Sequence, residues 1–174
     1  MRSRRNPVST IAGAILLASI MIGDLGWAPS ARADGDPING TYRATSVGEW
    51  AKTNDAFHNQ ATVTSTWTIT SSCSNAQECT GQVRTDQGWS APLYMHDGTM
   101  WYVKHDVPNW ERCPDGTAFT GQQTFTFFPA GPDGQQQPGS ATLAGQDKTV
   151  GPSGACRVNK WLVINMPFRL DKIA

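Results

Sequence analysis

The sequence predicts an all-β domain, because apolar residues recur at every second position in several segments and no segment after the N-terminal region shows a convincing helical stripe. From Ala61 to Thr70 the threonines fall on one face, while Val63, Trp67 and Ile69 fall on the other. This period of two is typical of a strand with one buried face. A third observation is the Asp97-Gly98 pair between two apolar runs, which predicts a hairpin turn whose two residues both have positive φ.

Two more segments alternate in the same way. One face of the C-terminal run collects Leu162, Ile164, Met166, Phe168 and Leu170, whereas Trp161 falls on the opposite face. Pro167 interrupts this run and indicates a sheet edge or a bulge, because proline lacks the N–H that a central strand donates. A further alternating set is formed by Phe119, Gly121, Gln123, Phe125 and Phe127.

These patterns together predict eight strands. The predicted strands are 39–46, 61–72, 79–86, 89–96, 99–106, 117–128, 139–150 and 160–171. Short links between consecutive strands favour antiparallel neighbours, and we therefore expect an eight-stranded, up-and-down antiparallel β-barrel of the calycin-like kind, with a β-sandwich as the second choice. Residues 51–60 are expected to form a short helical turn in a connection, and Val107–Cys113 a loop pinned by a disulfide.

The first 33 residues have the parts of a secretory signal peptide. Arg2, Arg4 and Arg5 precede an apolar run, Ile11–Ile22, and Ala31-Arg32-Ala33 fits a small-x-small cleavage site. The run is shorter than the roughly 20 residues that a membrane span needs. We expect cleavage after Ala33, which leaves 34–174 as a single domain. Ser3-Arg4-Arg5 is similar to a twin-arginine signal, but the polar residues that follow favour the general secretory route.

Charge argues against a nucleic-acid partner. Only 16% of the residues are charged, against about 25% in an average protein. Without residues 1–33 the chain has 10 basic and 13 acidic residues and a net charge of −3. Nothing in this balance supplies the basic face that phosphate binding requires. We expect an exported domain in the cell envelope or the medium, with no stable membrane span after processing.

The four cysteines all lie in the expected mature domain, where an even number indicates two disulfides. Three pairings are open, and we prefer Cys73–Cys79 together with Cys113–Cys156. A zinc site is the rival interpretation. It lacks support, because the sequence has no C-x-x-C motif and no histidine next to a cysteine. We expect neither a bound metal nor a cofactor.

A catalytic site is not evident from the sequence. His58, His96 and His105 are not spaced as metal ligands, and we interpret them as exposed polar side chains. Ser153 lies in a Gly-rich turn that lacks the G-x-S-x-G pattern of a nucleophile elbow. Glu111 beside Trp110 is the one carboxylate in an aromatic setting, and it falls in the expected loop. No residue is therefore assigned a catalytic role, and we expect that the protein is not an enzyme.

The tryptophans leave a binding function open. Six remain after residue 33, and Trp67 belongs to the inward set of its strand. Rings of this size either fill a small barrel or line a cavity, because eight strands enclose space for side chains and at most one small ligand. The sequence does not identify ligand-binding residues.

The order of turns, cysteines and strand aromatics resembles that of small exported mycobacterial proteins of unknown function. It is similar, more distantly, to the extracellular domain of some mycobacterial serine/threonine protein kinases. The features that carry this resemblance are Gly40-Thr41-Tyr42, Ser65-Thr66-Trp67, Ser71-Ser72-Cys73, Cys79-Thr80-Gly81, Asp97-Gly98 with Trp101, Cys113, Pro132-Asp133-Gly134 and Cys156. The resemblance implies an extracytoplasmic binding or sensing role and carries over no catalytic residue.

Three functions follow as hypotheses. The first is a non-catalytic exported β-domain that binds a small apolar ligand or a protein partner. The second is an envelope hydrolase whose acids or Ser153 come together only in the fold. The third is a structural or host-facing surface protein with a large apolar patch and no cavity.

Overall fold

Ten antiparallel strands make up the fold in the computed structural model, which describes residues 35–174. The expected signal peptide, residues 1–33, lies outside the described residues. The strands are β1 (Gly40–Ser46), β2 (Lys52–Thr53), β3 (Ala56–Phe57), β4 (Val63–Cys73), β5 (Cys79–Thr85), β6 (Ser90–Met95), β7 (Trp101–Arg112), β8 (Ala118–Pro129), β9 (Thr142–Val150) and β10 (Val163–Lys172).

Eight of these strands close into a barrel. Each of β4 to β9 pairs with the next strand along the chain, β1 pairs with β4, and β1 also pairs with β10 from Tyr42↔Lys172 to Ser46↔Phe168. The predicted fold class, an up-and-down antiparallel barrel, is confirmed. All predicted boundaries lie within three residues of the observed ones except the end of β7, which extends to Arg112.

The helical turn expected at 51–60 is wrong. A 3₁₀ turn at Gly48–Trp50 precedes a small hairpin, β2–β3, whose first strand pairs with β10 through Thr53↔Ile164. The hairpin turn is Asn54-Asp55, with φ of 48° and 68°. Asparagine and aspartate tolerate this left-handed region better than most residues, so the pair favours a tight β-turn over a helix.

The loop expected at Val107–Cys113 is also wrong for most of its length. Residues up to Arg112 continue β7, with a bulge between Val107 and Glu111 where the register with β8 shifts. Asn109 occupies the bulge with a φ of 52°. The extra residues of a bulge bend the strand and redirect its side chains.

The hairpin between β6 and β7 forms at Asp97-Gly98, but its turn differs from the expected two-residue type. Gly98 has a φ of 76°, whereas Asp97 is not in the positive region. The Asp97 carboxylate instead accepts hydrogen bonds from the backbone N–H groups of Thr99 (2.9 Å) and Met100 (2.7 Å). This side-chain bonding stabilises a longer turn, as Asp commonly does.

Pro167 lies inside the barrel sheet and not at an edge. Pairing of β10 with β1 ends at Phe168, and its pairing with β2 begins at Asn165. Pro167 falls between the two ladders, and its carbonyl accepts from the N–H of Val47 at 2.8 Å. The missing proline N–H therefore leaves no ladder position without a donor.

Trp67 packs among four other aromatic rings in the core. Its ring meets Phe125 edge-on at 4.8 Å between centroids, and Phe168 and Trp89 lie at 5.2 and 5.3 Å. Trp67 is 1% exposed and Trp161 is 59% exposed, which confirms the faces assigned to both from the alternation.

The barrel interior is filled at one end and hollow at the other. At the filled end, the inward positions carry large apolar side chains: Tyr42, Ile69, Met95, Trp101, Phe127, Leu143 and Leu170. At the hollow end, the inward positions are mostly polar: Ser46, Ser65, His105, Gln123, Asp147 and Thr149. The fold thus packs an apolar core against a polar-lined space within one sheet.

One disulfide lies at each end. Cys73–Cys79 joins the end of β4 to the start of β5 at the filled end. Cys113–Cys156 joins the segment after β7 to the connection between β9 and β10 at the hollow end. The pairs are the ones we preferred from the sequence. The second disulfide therefore ties together two segments beside the hollow end.

We predict that loss of Cys113–Cys156 costs more stability than loss of Cys73–Cys79. The bonds close loops with sequence separations of 43 and 6, which correspond to about 4 and about 2.4 kcal/mol in the chain-entropy treatment. Urea unfolding of the Cys113→Ser/Cys156→Ser and Cys73→Ser/Cys79→Ser double variants measures the difference. Equal losses would contradict this order.

Candidate ligand cavity

A cavity of about 650 Å³ occupies the hollow end of the barrel. It is lined by inward side chains of β1, β4 and β7–β10 and by the connections that precede β4 and β6. Pockets that take small organic molecules span roughly 300–1,000 Å³, so the space suits one such molecule.

Aromatic rings form much of the wall. Trp89 stacks on His105 with centroids 3.9 Å apart and planes at 14°, and it lies nearly parallel to Phe125 at 6.2 Å. Phe168 packs against Phe125 at 4.7 Å. These rings connect the cavity directly to the apolar core around Trp67, so the inner wall is rigid.

Trp110 forms the outer wall, at the β7 bulge. Its ring meets Phe119 edge-on at 5.8 Å. It also lies directly over Gly121, where an added Cβ would come within 2.6 Å of the indole. The bulge and this glycine together allow the ring to lie flat across β8, and they set the shape of the cavity mouth.

A hydrogen-bond network crosses the polar side of the cavity. Ser46 Oγ donates to Asp147 Oδ2 at 2.6 Å, and Gln123 Nε2 donates to Asp147 Oδ1 at 2.7 Å. The Gln123 Oε1 atom lies 2.9 Å from His105 Nε2. Asp147 is 1% exposed. A carboxylate this deeply buried is costly unless its oxygens are bonded, and both oxygens of Asp147 have a donor.

The bonding around His105 fixes the orientation of its ring. Gln123 uses its N–H₂ group on Asp147, so its oxygen accepts from His105 Nε2. The other ring nitrogen, Nδ1, lies 3.1 Å from the carbonyl oxygen of Asp106, which also can only accept. The Gln123 amide thus bridges an acid and a base.

Burial raises the pKa of Asp147 above its ordinary value. The hydrogen bonds from Ser46 and Gln123 and the charge of His105 oppose this rise, but removal from water is the larger effect. The folded state therefore holds the Asp147 proton more tightly than the unfolded chain does.

The histidines do not all lie where the sequence analysis placed them. His58 is exposed beside Gln60, and His96 is exposed and 3.0 Å from Glu78. His105 is half-buried and lines the cavity. The interpretation of His105 as an exposed polar side chain is therefore wrong, because it occupies an inward position two residues after Val103.

The cavity has the polar cleft that a hydrolase would need, but its hydrogen bonds do not form a nucleophilic triad. Ser46 donates to the carboxylate itself, and His105 bonds to Gln123 and the backbone. Ser153 lies in the connection after β9, where it bonds to Asn159 at 3.2 Å. In the described part of the chain no serine hydroxyl contacts a histidine, as a triad requires.

Asp147, Gln123, Ser46 and Thr149 were not identified from the sequence. A signal was available for Asp147, because it falls on the same face of β9 as Leu143. An acid on the inward face of a barrel strand indicates either a paired charge or a polar cavity. The network partners come from strands remote in sequence, and no spacing rule connects them.

A second, smaller cavity of about 430 Å³ lies beside the β2–β3 hairpin and β10. Lys52, Lys148 and Lys160 line it together with Trp161. Trp161 and the nearby hairpin residue Phe57 are exposed. This outer cavity carries positive charge, unlike the space inside the barrel.

Among residues 35–174, no three His, Cys, Asp or Glu side chains converge as a metal site would require. No helix in the same range is long and apolar enough to cross a membrane.

We predict that Asp147→Asn gains stability relative to the wild type as pH rises from about 3.5 to about 7. The wild-type contribution of Asp147 is full below its unfolded pKa and is lost as pH rises through the raised folded pKa. An asparagine does not ionise and keeps an acceptor for Gln123. Urea unfolding of both proteins across this range gives the difference.

Asp171→Asn is the matched control and has the opposite sign. Hydrogen bonds from Arg169 at 2.7 and 2.8 Å lower the pKa of Asp171, so its contribution is present at neutral pH and is lost in acid. This variant should therefore be less stable than the wild type near pH 7. The difference in the free energy of unfolding should become smaller as the solution is made acidic. The same pH trend in both variants would contradict the assignment of Asp147.

Comparison with known proteins gives a similarity of fold. No protein-family model matches the sequence, and no curated protein matches it. A solved structure, the monomer form of the M. tuberculosis PknI sensor domain, is similar with a TM-score of 0.54 and 16% sequence identity. The match covers 79% of this chain and 88% of the sensor domain. The resemblance to the extracellular domain of mycobacterial kinases is thereby confirmed at the level of the fold.

Proposed function

We propose that residues 34–174 form an exported, non-catalytic domain that holds one small, largely apolar molecule in the barrel cavity. Export would follow cleavage after Ala33, and the domain would act in the cell envelope or the medium. The observation that carries this proposal is the cavity itself, which joins a rigid aromatic wall to a few fixed polar groups. Ligand pockets in proteins have this composition.

The position of the cavity supports binding over a purely structural role. An eight-stranded barrel has room to pack its interior completely with side chains, as the filled end does. At the hollow end the inward positions of Ser46, Ser65 and Thr149 carry small side chains. Large apolar residues there would add core stability, so the small polar residues are best explained by an occupant.

The disulfides support an extracytoplasmic location. All four cysteines of the chain are paired, and such bonds persist in oxidising compartments. The fold is similar to that of the M. tuberculosis PknI sensor domain. By analogy, ligand binding in this chain would serve to sense or carry a molecule outside the cytosol.

Binding without chemistry is the better interpretation of the polar network. The Ser46 hydroxyl and the His105 ring are both committed to partners other than each other. The second candidate for what the domain binds is a protein partner, which is favoured by the exposed Trp50, Phe57 and Trp161. These rings lie outside the barrel, and the cavity would then remain without a role.

We predict that Val107→Trp weakens binding of the neutral apolar dye Nile red by about tenfold or more, equivalent to ~1.4 kcal/mol. Val107 faces the cavity, and an indole at this position would take up its volume. A fluorescence titration of the dye measures the affinity. Native mass spectrometry of protein recovered from the host's medium would identify a co-purifying molecule.

Lys104→Trp is the control, because Lys104 lies on the same strand with its side chain exposed. It introduces the same ring and should leave dye binding unchanged. Equal losses in the two variants would place the dye elsewhere. No fluorescence change with the wild type, and no co-purifying molecule, would overturn the binding function.

A further inference from the structure

The fixed charges that line the barrel cavity are acidic. The carboxylates of Glu111 and Asp147 line it, whereas none of the ten lysines and arginines between residues 35 and 174 does. Asp106 borders the cavity as well, but it is exposed and falls on the outward face of β7 with Lys104. His105 is the one lining residue that can carry a positive charge. Such an imbalance in a walled cavity concentrates its field on whatever enters.

His105 is already committed to partners within the network. Both ring nitrogens face acceptors, and the ring is covered by Trp89. The Gln123 amide connects His105 to Asp147, so both residues are engaged with each other's partners. The outer part of the cavity is therefore left with one acid, Glu111.

Glu111 is the acid placed to meet a ligand. It is half-buried at the cavity mouth next to Trp110, and no described residue forms an ion pair with it or donates a hydrogen bond to its side chain. An indole and a carboxylate that line the same cavity mouth are a favourable setting for a cation, because both attract positive charge.

The negative charge is specific to the barrel cavity and is not a property of the whole protein surface. The outer cavity beside β2 and β3 is lined by Lys52, Lys148 and Lys160 and by one acid, Asp55. The two cavities thus have opposite charge in a domain that is only slightly acidic overall.

We propose that the ligand is an apolar molecule with a positively charged amine, and that the amine binds at Glu111 while the apolar part lies against Phe125 and Phe168. This proposal rests on the proposed function, and it excludes carboxylates and phosphates of similar shape. Neutral molecules would bind with intermediate strength, because they contact the aromatic wall but carry no charge that interacts with Glu111.

The test uses three probes of one length: octylamine, octanol and octanoate, each competing with Nile red near pH 7. We expect octylamine to bind at least about tenfold more tightly than octanoate, with octanol between them. Glu111→Gln should weaken octylamine by at least about fivefold, tighten octanoate and leave octanol unchanged. The control Glu78→Gln, at an exposed position at the filled end, should change none of the three.

The outcomes separate the two proposals. If Nile red binds in the cavity but the three probes compete equally, the amine preference is wrong and the binding function stands. If octanoate is preferred, the ligand class is an anion and the inference is overturned. If Nile red itself does not bind, the failure lies in the binding function.

Discussion

The pairing of β1 with β10 is the constraint on which the rest of the structure depends. These strands come from opposite ends of the domain, and their ladder turns an open sheet into a barrel. Closure removes exposed edges and gives every strand a single interior face. It brings Ser46 of β1 within 2.6 Å of Asp147 of β9, with β10 between them. The polar network is thus a direct product of closure.

The barrel combines two interiors with different physical roles. The filled end buries aromatic and aliphatic side chains and supplies hydrophobic stabilisation. The hollow end contributes less hydrophobic stabilisation, because its inward side chains are mostly polar. It also buries the carboxylate of Asp147, whose cost is offset by the hydrogen bonds that it accepts. Trp67 and Phe125 lie at the boundary and belong to both. Rigid rings in this position give the cavity a fixed inner wall.

The hollow end of the barrel is held together by local features. The Cys113–Cys156 disulfide lies beside the cavity and joins the segment after β7 to the connection between β9 and β10. The β7 bulge and Gly121 place Trp110 across the mouth. These local devices hold the cavity walls in place without filling the space, so that binding a ligand would require little rearrangement.

The sequence by itself determined the strands, the barrel class and the inward face of each alternating run, because a period of two is a local property that burial enforces. It did not determine the Asn54-Asp55 hairpin or the β7 bulge. At both places residues with positive φ, Asn54, Asp55 and Asn109, set the path of the chain, and the alternation of apolar residues does not indicate them. Only the tertiary structure decided that Ser46, His105, Gln123 and Asp147 meet. Their contacts span up to 101 positions and follow from strand stagger in the closed barrel, which no local pattern encodes.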